Sequence, residues 1–380
     1  MRGIFKAATA VAAAAATCFQ PGRAQTWSRC NPVQGGQCPP DTALGMAVNV
    51  DFSKGAVNSF AASGTPSYGR DGVSFTVSRS GDAPQLASLF YIMFGRVEIT
   101  MKAAPGAGIV SSLVLESDAL DEIDIEWLGT NPDEIQSNYF GKGQTTTYNR
   151  GQFHSVSGTQ AGFITYTIDW TQDRIIWMAG GKVVRELKAS EAQANQYPQT
   201  PMQVKFGAWA GGDPSTNAPG TVEWARGPTD YSKGPFSMLV QRVVISDYST
   251  GKQYRYKDSS GSWQSIEAVD GSVNGNFGKG NSLTVTASAV GTAPTTTGIV
   301  PIPVGGIAKD GSPATATQTG WPWVASASPS GGTVPSGWYI NSNGKIMRSN
   351  AAALQKSASL SVVILGPLTL GVVVFFYRLW

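Results

Sequence analysis

Three acidic residues, Glu122, Asp124 and Glu126, occupy alternate positions within the run DEIDIEW. Successive side chains on a β-strand point to opposite faces, so these three acids share one face of a strand. The apolar residues between them share the other face and can be buried in a core. The acidic face must then meet solvent or line a cleft, where carboxylates about 6.7 Å apart along the strand repel one another.

Two carboxyl groups on one face suit the cleavage of a glycosidic bond. One attacks the anomeric carbon and the other protonates the leaving oxygen, and retention of configuration needs them about 5–5.5 Å apart. The Cα atoms of Glu122 and Glu126 would be about 13 Å apart on a regular strand, so their side chains must lean together on a concave sheet. Asp124 can hydrogen-bond the nucleophile, and the shared charge raises the pKa of the acid, so the three titrate together.

Two non-catalytic interpretations of the acidic strand remain open. Charges on a solvated edge strand deter aggregation. A group of acids can also bind calcium, although the glycine and oxygen spacing of an EF-hand loop is missing. Glu98, Asp169 and Glu223 lie on other predicted strands without such clustering, and we interpret them as structural or rim positions.

Composition excludes several classes of function. One histidine, His154, and three cysteines argue against Ser-His-Asp catalysis and against His/Cys zinc sites, so we expect no cofactor, no metal ion and no role for His154. The formal net charge is +3, but residues 1–24 and 351–380 hold five basic residues and no acid. The remaining 23 basic and 25 acidic residues give −2, which leaves no electrostatic footprint for nucleic acid.

The elements around the acidic strand are also strand-like. Residues 96–101 and 164–170 alternate in polarity, and residues 174–178 and 182–187 flank Gly180-Gly181 as in a β-hairpin. Only residues 190–197 offer a helix, with Ser190 and Gln193 spaced as a capping box. Many short strands and frequent turns predict an all-β fold, an antiparallel sandwich or β-jelly roll.

The first 24 residues are typical of a secretory signal peptide. Arg2 and Lys6 precede an alanine-rich run, and Gly22-Arg23-Ala24 places small residues at a cleavage site. Cleavage would remove Cys18 and leave Cys30 and Cys38 in an oxidising compartment. A disulfide between them would contribute about 2–3 kcal/mol by chain entropy, whereas a metal pair lacks further ligands.

The C-terminal region has the composition of a stalk followed by an anchor. From residue 291 to 335, 27 of 45 residues are Ser, Thr, Pro or Gly, which predicts a disordered, O-glycosylated stalk over 268–350. An apolar tail closes residues 351–380, preceded by small residues at 350–352. This pattern favours a glycosylphosphatidylinositol (GPI) anchor, with Asn350 as the attachment residue, over a single membrane-spanning helix, because only three residues follow the tail.

The acidic strand resembles the E-x-D-x-E signature of glycoside hydrolase family 16, which is carried on a strand of a concanavalin-like β-jelly roll. Residues 26–260 resemble more closely the Crh-type transglycosylases of fungal cell walls. The likeness is carried by the early cysteine pair and by three segments: DEIDIEWLG, SNYFGKGQTTTYNRG and KFGAWAGGDPSTNAPGTVEWARG. It implies a catalytic domain over 25–267, with Glu122 as nucleophile, Glu126 as acid/base and Asp124 as the assisting residue.

The same resemblance implies the substrates and their contacts. Chitin would be cleaved with retention and its glycosyl chain transferred to chitin or β-glucan, cross-linking the wall. Besides Glu126, the residues expected to line the sugar cleft are Lys205, Trp209 and Thr221. Trp209 offers a stacking face, while Lys205 and Thr221 can hydrogen-bond sugar hydroxyls. Tyr139 is a weaker stacking candidate.

One departure from the family pattern lies close to the cleft, where Asn149 stands in place of an aspartate expected in TYDRG. We expect a secreted monomer, held by its GPI anchor at the outer face of the plasma membrane and in the cell wall. Two alternatives remain: a chitin or β-glucan hydrolase of the same fold, and a lectin-like wall-binding protein without catalysis. Two carboxylates that repel each other argue against a role in binding alone.

Overall fold

The computed structural model describes residues 28, 30–57, 59–144, 149–193 and 196–279, and the backbone of three short strands within 284–348. Over these residues the chain forms 21 strands, one α-helix and five short 3₁₀ turns. The strands are β1 Asp41–Thr42, β2 Ala47–Asp51, β3 Phe60–Ser63, β4 Ser67–Gly69, β5 Gly72–Val77, β6 Gln85–Ser88, β7 Gly95–Lys102, β8 Ile109–Ser117, β9 Glu122–Leu128, β10 Glu134–Phe140, β11 Gln152–Ser155, β12 Ile164–Trp170, β13 Arg174–Ala179, β14 Lys182–Lys188, β15 Met202–Ala210, β16 Phe236–Asp247, β17 Gln253–Tyr256, β18 Ile266–Val269, β19 Thr284–Ala287, β20 Trp338–Ile340 and β21 Ile346–Arg348. The helix α1 is Pro219–Trp224, and the 3₁₀ turns are Pro32–Gln34, Phe52–Lys54, Ala189–Glu191, Tyr231–Lys233 and Trp263–Ser265.

Two large sheets form the domain. The first has seven strands in the order β11-β10-β9-β8-β15-β6-β3, so the acidic strand β9 lies inside it between β10 and β8. The second has nine strands, with the path β14-β13-β12-β7-β16-β2-β19; in addition, β5 pairs with β16 and β4 pairs with β5. A smaller sheet, β1-β17-β18, accompanies them. This nearly all-β architecture confirms the predicted fold class.

The core lies between the two large sheets, because alternating apolar side chains of each sheet point toward the other. Ile123 and Ile125 of β9 are fully buried there, and Trp127 meets Tyr166 of β12 edge-on at 4.7 Å between ring centroids. Each such side chain contributes about 1.5–3 kcal/mol on burial. The pleat therefore fixes Glu122, Asp124 and Glu126 on the outer face of the seven-stranded sheet.

Of the two local elements predicted from the sequence, the hairpin forms and the helix does not. The predicted hairpin is present: β13 and β14 are joined by Gly180 and Gly181, whose φ values of 56° and 78° suit a tight primed turn. The helix predicted over 190–197 does not form, and the chain makes only a 3₁₀ turn at Ala189–Glu191. The α-helix comes later, at Pro219–Trp224, where proline occupies the first helical position.

The folded domain extends past residue 267, where we expected the stalk to begin. Strand β18 runs to Val269, and Asn276 donates hydrogen bonds to the carbonyl oxygens of Gly45, Asp247 and Ser249 at 3.0–3.2 Å. The carboxylate of Asp247 accepts from the amides of Gly45 and Met93 and from the hydroxyl of Tyr254. The hydrogen bonds of Asn276 thus attach the segment after β18 to the sandwich. Hydrophobic patterning of the sequence does not predict such polar contacts.

The disulfide between Cys30 and Cys38 is formed. The expected signal peptide, most of the expected stalk and the apolar tail with Asn350 lie outside the described residues. Within the part that the structure describes, no helix is long and apolar enough to cross a bilayer.

Candidate active site

The acidic strand sits in register with two neighbours that supply the surroundings of each carboxyl group. Residues directly opposite one another on adjacent strands share a face. Glu122 lies opposite Glu116 of β8. Asp124 lies opposite Asn138 of β10. The three acids are only 3%, 2% and 4% exposed, although they lie on the outer face of the sheet. Neighbouring side chains therefore surround them, and we call the part of this face around the three acids the acidic recess.

The carboxyl groups of the recess are coupled. Burial raises the pKa of Asp124 well above its ordinary value, and the charges of Glu126 and Glu122 raise it further. A hydrogen bond from Asp124 to Glu122 acts in the same direction, because it holds the proton on Asp124. Asp124 is thus protonated when Glu122 is an anion. The hydrogen bond orients the carboxyl group of Glu122 on the outer face of the sheet, and a nucleophile requires such positioning.

The backbone of β9 is held at its start and, at mid-strand, from the opposite sheet. Asp121, directly before the strand, is fully buried, and its carboxylate accepts hydrogen bonds from Lys142 Nζ at 2.6 Å and from Thr200 Oγ1 at 2.6 Å. At mid-strand, the indole of Trp177 from the opposite sheet donates to the carbonyl of Asp124 at 3.1 Å. These bonds restrain the strand that carries the three acids, so their spacing is preorganised.

The floor beside Glu126 is made of small residues. Ser112 of β8 lies opposite Glu126, and Gly207 of β15 lies opposite Ser112. A Cβ at position 207 would collide with the carbonyl of Pro84 and with Gln85, so the close approach of β6 requires glycine there. The space over Gly207 is thus filled by Pro84 and Gln85, whereas the small side chain of Ser112 adds little bulk beside Glu126.

Lys205 lies on the same face of the sheet as Asp124, and its ammonium group is already paired. Its register partner on β8 is Val114, which lies opposite Asp124. Its ammonium group forms a short ion pair with Glu116, the residue across from Glu122. The Lys205 side chain is 25% exposed and that of Glu116 is 8% exposed. Glu116, which the sequence analysis did not single out, thereby brings a fourth carboxylate beside the catalytic candidates, neutralised by the lysine.

Trp209 also lies on this face and belongs to an aromatic wall. It stands on β15 opposite Val110, and its ring stacks against Trp224 of α1 at 6.2 Å with an interplanar angle of 23°. Trp224 in turn donates its indole N–H to Gln136 Oε1 at 3.1 Å. Because Gln136 lies directly opposite Glu126, the wall reaches the edge of the acidic recess. Indole faces of this kind suit the apolar faces of sugar rings.

The other predicted binding residues differ in position. Thr221 lies on α1 three residues before Trp224, which puts the two on the same side of the helix. Tyr139 does not face the recess: it lies opposite Ile123, and its ring is 4% exposed within the core. Its parity on β10 places it beneath the sheet, so stacking on a sugar in the recess is excluded by this geometry. Asn149 is exposed in the loop before β11.

His154 is structural in this arrangement. It hydrogen-bonds Ser137 Oγ through Nε2 at 2.8 Å, on the core side of β10 and β11. Partial burial lowers the pKa of His154 from its ordinary value, and the nearby charge of Arg185 lowers it further. Among the described residues, no group of three or more His, Cys, Asp and Glu side chains is arranged to hold a metal ion.

Sequence comparison identifies the family to which these features belong. Residues 52–226 match the family described as Glycosyl hydrolases family 16. The chain is 54% identical over 353 residues to Crh-like protein 4 of Botryotinia fuckeliana, covering 91% of this chain and 92% of that protein. It is 49% identical over 250 residues to Congo red hypersensitive protein 1 of Saccharomyces cerevisiae, covering 65% of this chain and 49% of that one.

A solved structure gives the same assignment. The structure described as Crh5 transglycosylase in complex with NAG is 49% identical, with a TM-score of 0.61, and the match covers 63% of this chain and 99% of that one. The match to Crh-like protein 4 extends over nearly the whole length of both proteins. The chain therefore belongs to glycosyl hydrolases family 16 and, within that family, to the Crh-like proteins.

Proposed function

We propose that this chain is a retaining transglycosylase of the cell wall, which cleaves chitin and transfers the glycosyl chain to chitin or β-glucan. The observation that supports this most directly is the coupled set of Glu122, Asp124 and Glu126 in the acidic recess. Family membership and the likeness to a solved transglycosylase add to it. A lectin-like role would leave the repulsion among buried carboxylates without a purpose.

The first half-reaction forms a covalent intermediate. The carboxylate of Glu122 attacks the anomeric carbon, and the bond from that carbon to the glycosidic oxygen breaks. The protonated carboxyl of Glu126 gives its proton to the departing oxygen, so the leaving sugar departs as a neutral alcohol. Asp124 keeps its proton and hydrogen-bonds Glu122, which holds the attacking carboxylate in place while it becomes a neutral ester. The negative charge ends on Glu126, which has given up its proton.

The second half-reaction regenerates the enzyme. A hydroxyl of the acceptor chain attacks the anomeric carbon from the face that the first sugar left, and Glu126, now a carboxylate, removes its proton. The ester bond to Glu122 breaks, and the new glycosidic bond has the original configuration. Water can enter the same step and give hydrolysis. The aromatic wall of Trp209 and Trp224 supports transfer, because it offers binding surface to a sugar but none to water.

The cellular setting is part of the proposal. Residues 1–24 act as a signal peptide, residues 268–350 contain an O-glycosylated stalk, and residues 351–380 direct GPI attachment at Asn350. The supports are the sequence patterns themselves and the disulfide Cys30–Cys38, which suits an oxidising compartment. We propose that the protein acts as a monomer at the outer face of the plasma membrane and in the wall.

A two-substrate assay tests the activity. The secreted chain is incubated with chitin oligomers and a fluorescent glucan acceptor, and products are separated by size. Labelled product of high mass supports transfer, whereas shorter oligomers alone mean hydrolysis. Binding of chitin oligomers with neither product means a lectin. For the anchor, phosphatidylinositol-specific phospholipase C should release the protein from membranes, and continued retention after that treatment would contradict a GPI anchor.

A further inference from the structure

Phe153 is an aromatic residue whose side chain is exposed to solvent on the folded domain. Its side chain is among three large hydrophobic ones that are exposed in the described part of the chain, the others being Val183 and Phe277. Phe153 is 47% exposed and lies on β11, the edge strand of the seven-stranded sheet. Single exposed apolar residues are common on protein surfaces, so it is the position of this ring relative to the three acids that matters.

The sheet register places Phe153 on the same face as the acidic recess. Phe153 lies opposite Gln136 on β10, and Gln136 lies opposite Glu126 on β9. These three residues form one row across the strands, and side chains in such a row share a face. Two strand spacings separate Phe153 from Glu126, roughly 10 Å, which is about the length of a disaccharide.

The ring is held in position by charged neighbours. The guanidinium of Arg226 lies 5.2 Å from the ring centroid of Phe153, within range of a cation–π contact. Arg226 forms a short ion pair with Glu134, whose side chain is 17% exposed at the start of β10. Arg226 also has a φ of 57°, a left-handed conformation that a side chain adopts at some energetic cost. The backbone is thus strained at the residue whose guanidinium group contacts the Phe153 ring.

The ion pair of Arg226 and Glu134 lies next to the aromatic wall. Arg226 follows α1 by two residues, and Trp224 at the end of α1 bonds Gln136, the middle residue of the row. The same strip of sheet surface is therefore bordered by the aromatic wall and by the Phe153 ring. A sugar chain crossing the strands over Glu126 would meet this ring at its far end.

We infer that Phe153 is a stacking platform for a pyranose ring of the polysaccharide, about two sugar units from the bond bracketed by Glu126. The ring offers its free face to the apolar face of the sugar, while Arg226 and Glu134 keep it from collapsing onto the sheet. This inference rests on the proposed function for the identity of the sugar. It adds a contact that discriminates chains by length, because only a chain long enough to reach β11 gains it.

Length-dependent binding to an inactive protein tests this. Chitin oligomers of increasing length are titrated by calorimetry into the Glu122→Gln chain, with and without Phe153→Ala. Oligomers that reach β11 should bind roughly five- to tenfold more weakly to the Phe153→Ala chain, the loss expected for one aromatic contact. The affinity for the shortest oligomers that bind should change less than twofold. Phe153→Trp should restore the dependence on length, and Arg226→Gln should reproduce part of its loss.

The matched control is Phe277→Ala. Phe277 is 51% exposed, packs against Tyr248 at the end of the opposite sheet, and should have no effect on any oligomer. An equal loss with Phe277→Ala, or the same loss for short and long oligomers with Phe153→Ala, would overturn the inference. Binding of oligomers with no change in length dependence would refute this subsite alone. No binding of any oligomer to the Glu122→Gln chain would count against the proposed function itself.

Discussion

Asp124 donates a hydrogen bond to Glu122, its neighbour two positions earlier on the same strand face. The bond requires a proton on Asp124, and burial together with the charges of Glu126 and Glu122 keeps it there. A middle acid that stays neutral separates two carboxyl groups that would otherwise repel each other across one face. It also orients Glu122, the residue that we propose as the nucleophile.

Asp124→Asn should make the protein less sensitive to rising pH. The raised pKa of Asp124 means that the folded chain holds this proton more tightly than the unfolded chain, whose value lies near 3.8. The associated stability is fully present below that value and is lost as pH rises toward the folded pKa. Asparagine has no such proton, so the stability gained over wild type should grow as pH rises above about 4. Thermal unfolding at a series of rising pH values measures it.

A stability difference between Asp124→Asn and wild type that stays constant with pH would contradict the protonation assigned here. The same variant gives a second readout in activity. Asparagine can still donate an N–H to Glu122, whereas alanine cannot, so Asp124→Asn should retain more transfer activity than Asp124→Ala. Equal activities would mean that the hydrogen bond to Glu122 has no part in catalysis.

Glu116 and Lys205 should behave as a pair in stability. Lys205→Met removes the cation that pairs with the nearly buried carboxylate of Glu116, and should cost about 2 kcal/mol after allowance for the exposure of the lysine. Glu116→Gln added to Lys205→Met should recover most of that loss. Chemical denaturation of the two single variants and the double variant forms a double-mutant cycle. Additive effects would show that the ion pair has no energetic role.

Trp224→Phe should weaken substrate binding more than it slows the chemistry. Phenylalanine keeps an aromatic ring near Trp209 but removes the indole N–H that Gln136 accepts. Trp224 would then no longer be held against Gln136, the residue opposite Glu126. We expect KM to rise roughly threefold to tenfold, corresponding to about 1 kcal/mol for one hydrogen bond. Steady-state kinetics separates this from a fall in kcat. Trp263→Phe, on the core side near Phe94, is a control that should leave KM unchanged.

Glu126→Gln should lose activity in a way that depends on the leaving group. Glutamine cannot protonate the departing oxygen, so cleavage of an oligosaccharide should fall by two to four orders of magnitude, roughly the contribution of general acid catalysis. A donor with an activated aryl leaving group needs no such proton and should still form the glycosyl-enzyme. Pre-steady-state release of the aryl group checks this, and an equal loss on both donors would contradict the acid role.

Much of the site could be predicted because its signal is local. The period-two alternation around Glu122, Asp124 and Glu126 fixes their common face whatever the rest of the fold does. Gly180-Gly181 likewise specifies its hairpin, since both residues need positive φ. The helix at Pro219–Trp224 is too short to produce a hydrophobic period. The stretch 190–197 carries a capping signal, but the structure shows only a 3₁₀ turn at Ala189–Glu191 there.

The surroundings of the acids could not be predicted, because they depend on strand register. Tyr139 and Phe153 are both aromatic residues on neighbouring strands, yet parity sends Tyr139 into the core and Phe153 to the recess side. Gln136 and Trp224 meet across 88 positions of sequence, and Lys205 and Glu116 across 89. Such pairs follow from the order β10-β9-β8-β15, which no local pattern encodes.

Covalent trapping tests the central claim most directly. The secreted chain is incubated with a fluorinated chitin-oligomer donor that forms the glycosyl-enzyme rapidly but transfers it slowly, and the protein is digested and sequenced by mass spectrometry. The account predicts one added glycosyl unit, as an ester on Glu122, and no adduct in the Glu122→Gln chain. An adduct on another residue, or turnover of this donor to product of inverted configuration with no adduct, would contradict it.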